Sequence, residues 1–319
     1  MKKSIFAFAA ALAALVACNK NEATPMQPQN QESLVPCELT VGICGAMTRA
    51  TAVSADNEAK VNNLQVFVFR GDDLDAYASV DNAQELTLSC TAGDRVVYAL
   101  VNAPDYSAVP GKAALLAKVS ELSANSLSNF EMVGSKSVTL PQSEKVSIDV
   151  NRIASRVVLK KITRSFTSEA LQALNFKVDA IYLINVAGNT SYDLSAAPAK
   201  WYNVAENKNE LASLLYDAPA SLITNGQSYS TAHTFYAYPN DLATNTTRLV
   251  IETTLGETKY YYPINLPEMA ANKSYEIEEV KITRPGSDNQ DEPVSFADAT
   301  FSINVIDWTV VPVTEGTTI

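Results

Sequence analysis

The residues through which this 319-residue chain could do chemistry are four cysteines, one histidine and a few clustered carboxylates. His233 has no Gly-x-Ser-x-Gly partner and borders an apolar strand, which suits a hydrogen-bonded structural histidine rather than a catalytic base. Asp72, Asp73 and Asp75 could ligate calcium, but no Gly and distal Glu at EF-hand spacing accompany them, so they read as a solvated turn. Arg70-Gly71-Asp72 is an integrin-type tripeptide set between two predicted strands, where Gly and Asp are ordinary hairpin residues. Tyr260-Tyr261-Tyr262 could stack on sugar rings, yet aromatic residues equally favour strands. Neither a Gly-rich phosphate loop nor zinc-ligand spacing is present. The expectation is a protein with no catalytic, cofactor or metal residues, and not an enzyme.

One residue does carry a chemical signal. Lys2 and Lys3 precede the apolar run Ile5 to Val16, and Leu15-Val16-Ala17-Cys18 follows as a lipobox, so the Cys18 thiol is the expected lipidation site. The run is shorter than the roughly 20 apolar residues that span a bilayer. The net charge of -11 repels phosphate backbones, so no nucleic-acid partner is expected.

Behind Cys18, Asn19 to Ser33 has the composition of a solvated tether. The chain changes character at Val35. There Val35, Cys37, Leu39, Val41, Ile43 and Met47 alternate with polar or small residues, the period of a half-buried strand. Seven extended residues span roughly 23 Å, so Cys37 and Cys44 cannot bridge within that strand and read as strand residues. Cys90 closes another alternation and reads as a buried core thiol.

Short strands follow at Leu64–Phe69, Leu74–Val80, Glu85–Cys90 and Arg95–Asn102, spaced as antiparallel hairpins. Pro110, Leu115, Leu116, Val119 and Leu122 have helical spacing. Strands resume at Val138–Leu140, Val146–Val150 and Ile153–Ile162. A second cycle runs from Lys177 to Ile282 around a helical stretch at Glu210–Tyr216. Length and layout predict two β-rich domains.

After a polar breaker from Pro285 to Pro293, Phe301, Ile303 and Val305 alternate with polar residues. Ile306-Asp307 then shifts the parity, and Trp308, Val310 and Pro312 continue on the other face, which predicts a bulge, a bend or two successive strands.

Taken in order, these segments resemble the major fimbrillins of the type V pili of Bacteroidales. The resemblance rests on the lipobox, Met47-Thr48-Arg49-Ala50, Val61-Asn62-Asn63-Leu64 with the strand to Phe69, Val96 to Pro104, Arg152-Ile153-Ala154-Ser155-Arg156-Val157, Asn272-Lys273-Ser274-Tyr275 and Val305-Ile306-Asp307-Trp308. It implies a mainly β fold of two sandwich-like, transthyretin-like domains with a few short helices. Residues 1–18 would be the signal peptide and lipobox, and 19–49 a tether with a removable first strand. Residues 50–165 and 166–299 would form the two domains, and 300–319 a donor-strand tail.

The same resemblance implies an outer-membrane lipoprotein precursor that an arginine-specific surface protease cuts between Arg49 and Ala50. The removed strand would carry Val35, Cys37, Leu39, Val41, Ile43 and Met47. The next subunit's tail, with Phe301, Ile303, Val305, Trp308, Val310 and Pro312, would fill the groove. Its partners would be other copies in a cell-surface fimbria, anchor and tip pilins, and a host receptor or glycan. Four of the 24 basic and three of the 35 acidic residues precede Ala50, leaving a charge of -12 that suits a solvated shaft. The competing reading is a surface lipoprotein that stays monomeric and binds glycan or protein. That protein has no reason to be cut after Arg49.

Overall fold

The alternation that begins at Val35 is strand β1 (Pro36–Cys44), and everything near it is arranged to cover its apolar face. The structure is a computed structural model that describes residues 34–45, 55–241, 245–292 and 298–308. After β1 come α1 (Ala55–Glu58), β2 (Asn63–Arg70), β3 (Asp73–Asp81), β4 (Glu85–Thr91) and β5 (Gly93–Val101). Next are α2 (Lys112–Leu116), β6 (Val119–Glu121), β7 (Met132–Leu140), β8 (Val146–Asp149) and β9 (Asn151–Arg152). Then β10 (Ser155–Leu159), β11 (Ile162–Arg164) and β12 (Phe176–Ile184) lead into the second half.

Two sheets face each other over the first apolar cluster. One has the order β4-β1-β8, the other β3-β2-β5-β7-β9. Leu39, Val41 and Ile43 of β1 meet Leu64, Val66 and Val68 of β2 and Val97, Ala99 and Val101 of β5 between them. The opposite face of β2 sends Phe67 and Phe69 into a second cluster that also includes Trp308. Burial on both faces is why Leu64 to Phe69 reads as a nearly unbroken apolar run. Gln65 is the exception in that run. Its amide donates to Ala103 O (3.1 Å) and Pro104 O (2.8 Å) and accepts from the Tyr106 N–H (3.0 Å).

The chain from Val35 onward groups as one compact unit. In its second half, β10 runs antiparallel to His233–Ala237 and parallel to Lys273–Ile277, whose other edge carries Ile303–Asp307. A further sheet pairs β12 with Arg248–Leu255 and that strand with Thr258–Asn265. The described chain is mainly β with short helices, as expected.

Three differences from the sequence reading have physical causes. The helical spacing from Pro110 to Leu122 yields only α2, because Val119–Glu121 finds a ladder with Asn189–Ser191 and a helix this short depends on tertiary packing. The hairpin expectation holds for β2 and β3, but β4 and β5 lie in different sheets. The run Ile153–Ile162 breaks at Lys160 and Lys161, as its parallel neighbour breaks at Glu278 and Glu279. Lys160 reaches Glu276 (2.7 Å) and Glu278 (2.6 Å) there, and Lys161 reaches Glu279 (3.2 Å).

Where β7 crosses β8 the two sheets close tightly over Gly134. A Cβ at that position would lie 2.1 Å from the Asp149 carbonyl oxygen, which is backbone and cannot swing aside. Gly134→Ala is therefore expected to cost about 1–3 kcal/mol, measured by urea denaturation. An unchanged midpoint would show that β8 is free to shift.

Candidate functional site

Strand β1 is the middle rung of its sheet. It runs antiparallel to β4, with Leu39 opposite Leu88 and Val41 opposite Leu86, and parallel to β8, with Ile43 opposite Ile148. On the outer face Thr40 and Thr87 hydroxyls bond at 2.9 Å, and Lys145 pairs with Glu85 at 2.7 Å. Without β1, β4 and β8 would stand two ladder spacings apart, roughly 10 Å, too far to pair. The opening would bare two rows of backbone groups over an apolar floor. Such a groove fits one kind of occupant, an extended strand with apolar residues at every second position.

A second locus gathers the dispersed motifs of the sequence. The Glu58 side chain, at the end of α1, is 2% exposed. One of its oxygens accepts from the Tyr236 hydroxyl, and the other from Arg156 Nη1 (3.0 Å) and from Trp308 Nε1 (3.3 Å). Its backbone carbonyl accepts from Arg152 Nε (3.1 Å) and Nη2 (2.9 Å). Trp308, 1% exposed, has the Arg152 guanidinium over its ring at 4.5 Å and packs on Phe130 and Tyr236. Burial first, and then the neighbouring Arg156 charge against the pull of Glu58, lowers Arg152 to about 10.

Asn102 extends this network with a left-handed backbone (φ 57) that Asn tolerates. Its Oδ1 accepts from the Asn62 N–H (2.7 Å), and its Nδ2 donates to Lys60 O (2.8 Å) and Phe130 O (3.0 Å). Asn272 accepts from the Trp308 N–H (2.9 Å) and donates its own N–H to Ala154 O (3.0 Å). Glu58, near the start of the described stretch 55–241, and Trp308, the last described residue, thus share one buried polar cluster. Glu58→Gln leaves two guanidinium groups facing a neutral amide. The expected cost is about 3 kcal/mol, read by thermal or urea unfolding, and a loss below 1 kcal/mol would show that the charge is dispensable.

Residues 38–157, from β1 into β10, match the family model of the major fimbrial subunit protein FimA. Over that segment the chain is similar to the FimA family. Over 210 residues, 58% of this chain, it is 26% identical to the major fimbrium subunit FimA type-2 of Porphyromonas gingivalis. The match takes in 52% of that protein, so the chain spans about half the length of this curated relative. The crystal structure of a fimbrilin (FimA) from Porphyromonas gingivalis W83 has the same fold, with a TM-score of 0.62 at 16% identity over 86% of this chain and 98% of that one. A structure from Bacteroides eggerthii DSM 20697 gives 0.68 at 21% identity, over 88% and 98%. The fimbrillin resemblance and the mainly β fold read from the sequence are borne out.

Within this FimA-type fold, Leu39, Val41 and Ile43 point into the core from β1, Cys37 is half-buried beside them, and Val35 is exposed just ahead of the strand. Met47, Cys18, Arg49, Ala50, Val310 and Pro312 lie outside the described residues. Phe301 and Ile303 pack partly against the second cluster, while Val305 (49%) and Ile306 (47%) are exposed on the edge strand Ile303–Asp307. That strand pairs with Lys273–Ile277 of its own chain, and Trp308 is buried in its own chain as well. The parity shift at Ile306-Asp307 marks the point where the edge strand stops and the chain dips into the core.

The residues given plain structural readings fall where those readings put them, with one exception. Asp75 is no solvated turn residue. It accepts from the Thr91 N–H (2.9 Å) and from Arg95 Nε (3.0 Å) in a buried pair. Burial opposes its charge, but the Thr91 and Arg95 hydrogen bonds outweigh that and hold its carboxyl below the usual range. Asp72, in the turn after Gly71, accepts from the Ala113 N–H of α2 (2.7 Å). His233 bonds Asp217 (2.7 Å) and the Tyr229 hydroxyl (3.1 Å). Tyr262 is buried and donates to Arg284 O (2.8 Å). Nothing in the sequence singled out Glu58, which looks like one acid in a polar stretch until the fold surrounds it with arginines.

Proposed function

We propose that this chain is a structural subunit of a cell-surface fimbria, exported as a lipoprotein on Cys18, cut between Arg49 and Ala50, and polymerised by donor-strand exchange. The observation that carries the reading is the position of β1, a middle strand whose departure leaves a groove that only another strand can refill. The body folded around that groove belongs to residues 50–165 in the proposed division, with a second domain over 166–299 and a tail beyond.

In this reading the tail past Trp308 is the first part to enter a neighbour. Val310 and Pro312 continue the two-residue spacing of Trp308. Donation of Phe301, Ile303, Val305 or Trp308 itself would require the edge strand to unzip from Lys273–Ile277 and the indole to leave Glu58, Arg152 and Tyr236. Copies of this chain are the main partners, with anchor and tip pilins at the ends and an arginine-specific protease as activator.

The deciding experiment is sequencing the N-terminus of the assembled, surface-exposed protein. Ala50 as the first residue supports the scheme, and fibres that retain Val35 to Arg49 defeat it.

A further inference from the structure

Cys37 on β1 stands directly opposite Cys90 on β4, with their sulfurs 3.7 Å apart and both thiols free. The Ala92 N–H donates to Val35 O (2.8 Å) and the Ile43 N–H to Gln84 O (2.9 Å), which puts the 37/90 pair on a hydrogen-bonded rung of the ladder. Such rungs hold Cα atoms about 5.5 Å apart, inside the 4.4–6.8 Å a disulfide takes. Cys44, the strand's other cysteine, is engaged elsewhere, its thiol donating to Asp149 Oδ1 (2.9 Å). Of the four cysteines, only Cys90 lies beyond Arg49. An intramolecular disulfide must therefore join the removable segment to the body or stay within that segment.

We propose that Cys37 and Cys90 form a disulfide that locks the first strand in its groove, so that releasing the strand takes reduction as well as backbone cleavage. The inference rests on the reading of β1 as the removable strand. The oxidant is a disulfide, protein-borne or small. The half-buried Cys37 attacks it as thiolate, breaking its S–S bond, forming a mixed disulfide and expelling one thiolate. Cys90 then displaces the second thiolate. The two cysteines lose two protons and two electrons, and the oxidant leaves as two thiols. Burial, with the Cys37 hydrogen bond adding to it, pushes the Cys90 thiol up to about 12. Cys90 is also the more deeply buried of the two, so the second step takes place inside the fold.

A severed strand held by this bond would stay at the millimolar effective concentration of a short tether. Donor tails arriving from solution at micromolar concentration would lose the competition for the groove. Reduction frees the strand and leaves Cys90 in the groove wall of the acceptor.

The test uses the full-length precursor. One sample is treated with oxidised glutathione and another with dithiothreitol, and both are alkylated and mapped by mass spectrometry. Parallel samples are cut with an arginine-specific protease, and retention of the N-terminal fragment is followed by size exclusion. The expected result is a linked pair of peptides containing Cys37 and Cys90, with the fragment retained in the oxidised chain. Fibre yield should fall by about tenfold or more and return on adding dithiothreitol. Cys37→Ala should release its fragment whatever the redox state, and Cys44→Ala should behave as wild type.

Failure to find the linked peptides overturns the lock. So does a fragment that leaves oxidised wild type as fast as it leaves Cys37→Ala. The assembly reading is judged separately: reduced, cut wild type that releases the fragment yet forms no fibres defeats strand exchange, while fragment retention still decides the lock.

Discussion

Arg49→Ala is expected to give a folded precursor that forms no fibres, with β1 still in its groove. Leu39, Val41 and Ile43 are buried in the first cluster, and side chains of this kind contribute about 1.5–3 kcal/mol each, with two ladders of backbone bonds in addition. While β1 remains part of the chain, it returns to the groove as an intramolecular ligand. An incoming strand with equally good contacts is outcompeted by the ratio of effective to actual concentration, about 10²–10⁴. Fibre yield should therefore fall by at least about 100-fold, scored by electron microscopy, with intact mass showing an uncut N-terminal segment. Unfolding midpoints of the variant and the uncut wild type should agree. Normal fibres from Arg49→Ala would exclude cleavage at this bond as the activating step.

The second large effect separates the tail from its anchor. Deleting residues 309–319 is expected to leave a folded, cleavable chain that accepts a strand but donates none. Mixed with wild type, it should end fibres at one pole. Trp308→Ala should behave differently. The indole fills a site among Phe130, Tyr236, Arg152 and Arg156 and donates to Glu58, so its loss leaves a cavity and removes one of the hydrogen bonds to a buried carboxylate, and should cost about 3–5 kcal/mol. Urea unfolding of both variants distinguishes them. A deletion as destabilised as Trp308→Ala would mean that the tail belongs to the fold of its own chain, and normal fibres from the deletion mutant alone would remove the tail as donor.

The sequence was informative where a pattern is local. Alternation placed β1, and a nearly unbroken apolar run placed β2 within a residue of its bounds. It was also informative in the order of short motifs, because Asn62, Asn102, Arg152, Arg156, Asn272 and Trp308 were each part of the fimbrillin resemblance. Why they recur together was not legible, since contacts such as Glu58 with Trp308, 250 positions apart, have no periodicity to betray them. Cys37 and Cys90 show the same limit. Each was assigned correctly to a strand, yet their pairing depends on register.

Residue order by itself determined strands such as β1 and β2 and their apolar faces, because a period of two follows from the geometry of an extended chain and needs no partner. It also determined the acidic charge, which is a property of composition. Only the tertiary structure decided that β1 runs between β4 and β8, antiparallel to one and parallel to the other, and that the described chain ends with its indole over Arg152. Those outcomes depend on which distant segments exclude water from one another most completely. That choice is made among all pairings of the chain at once, and no single stretch of sequence contains it.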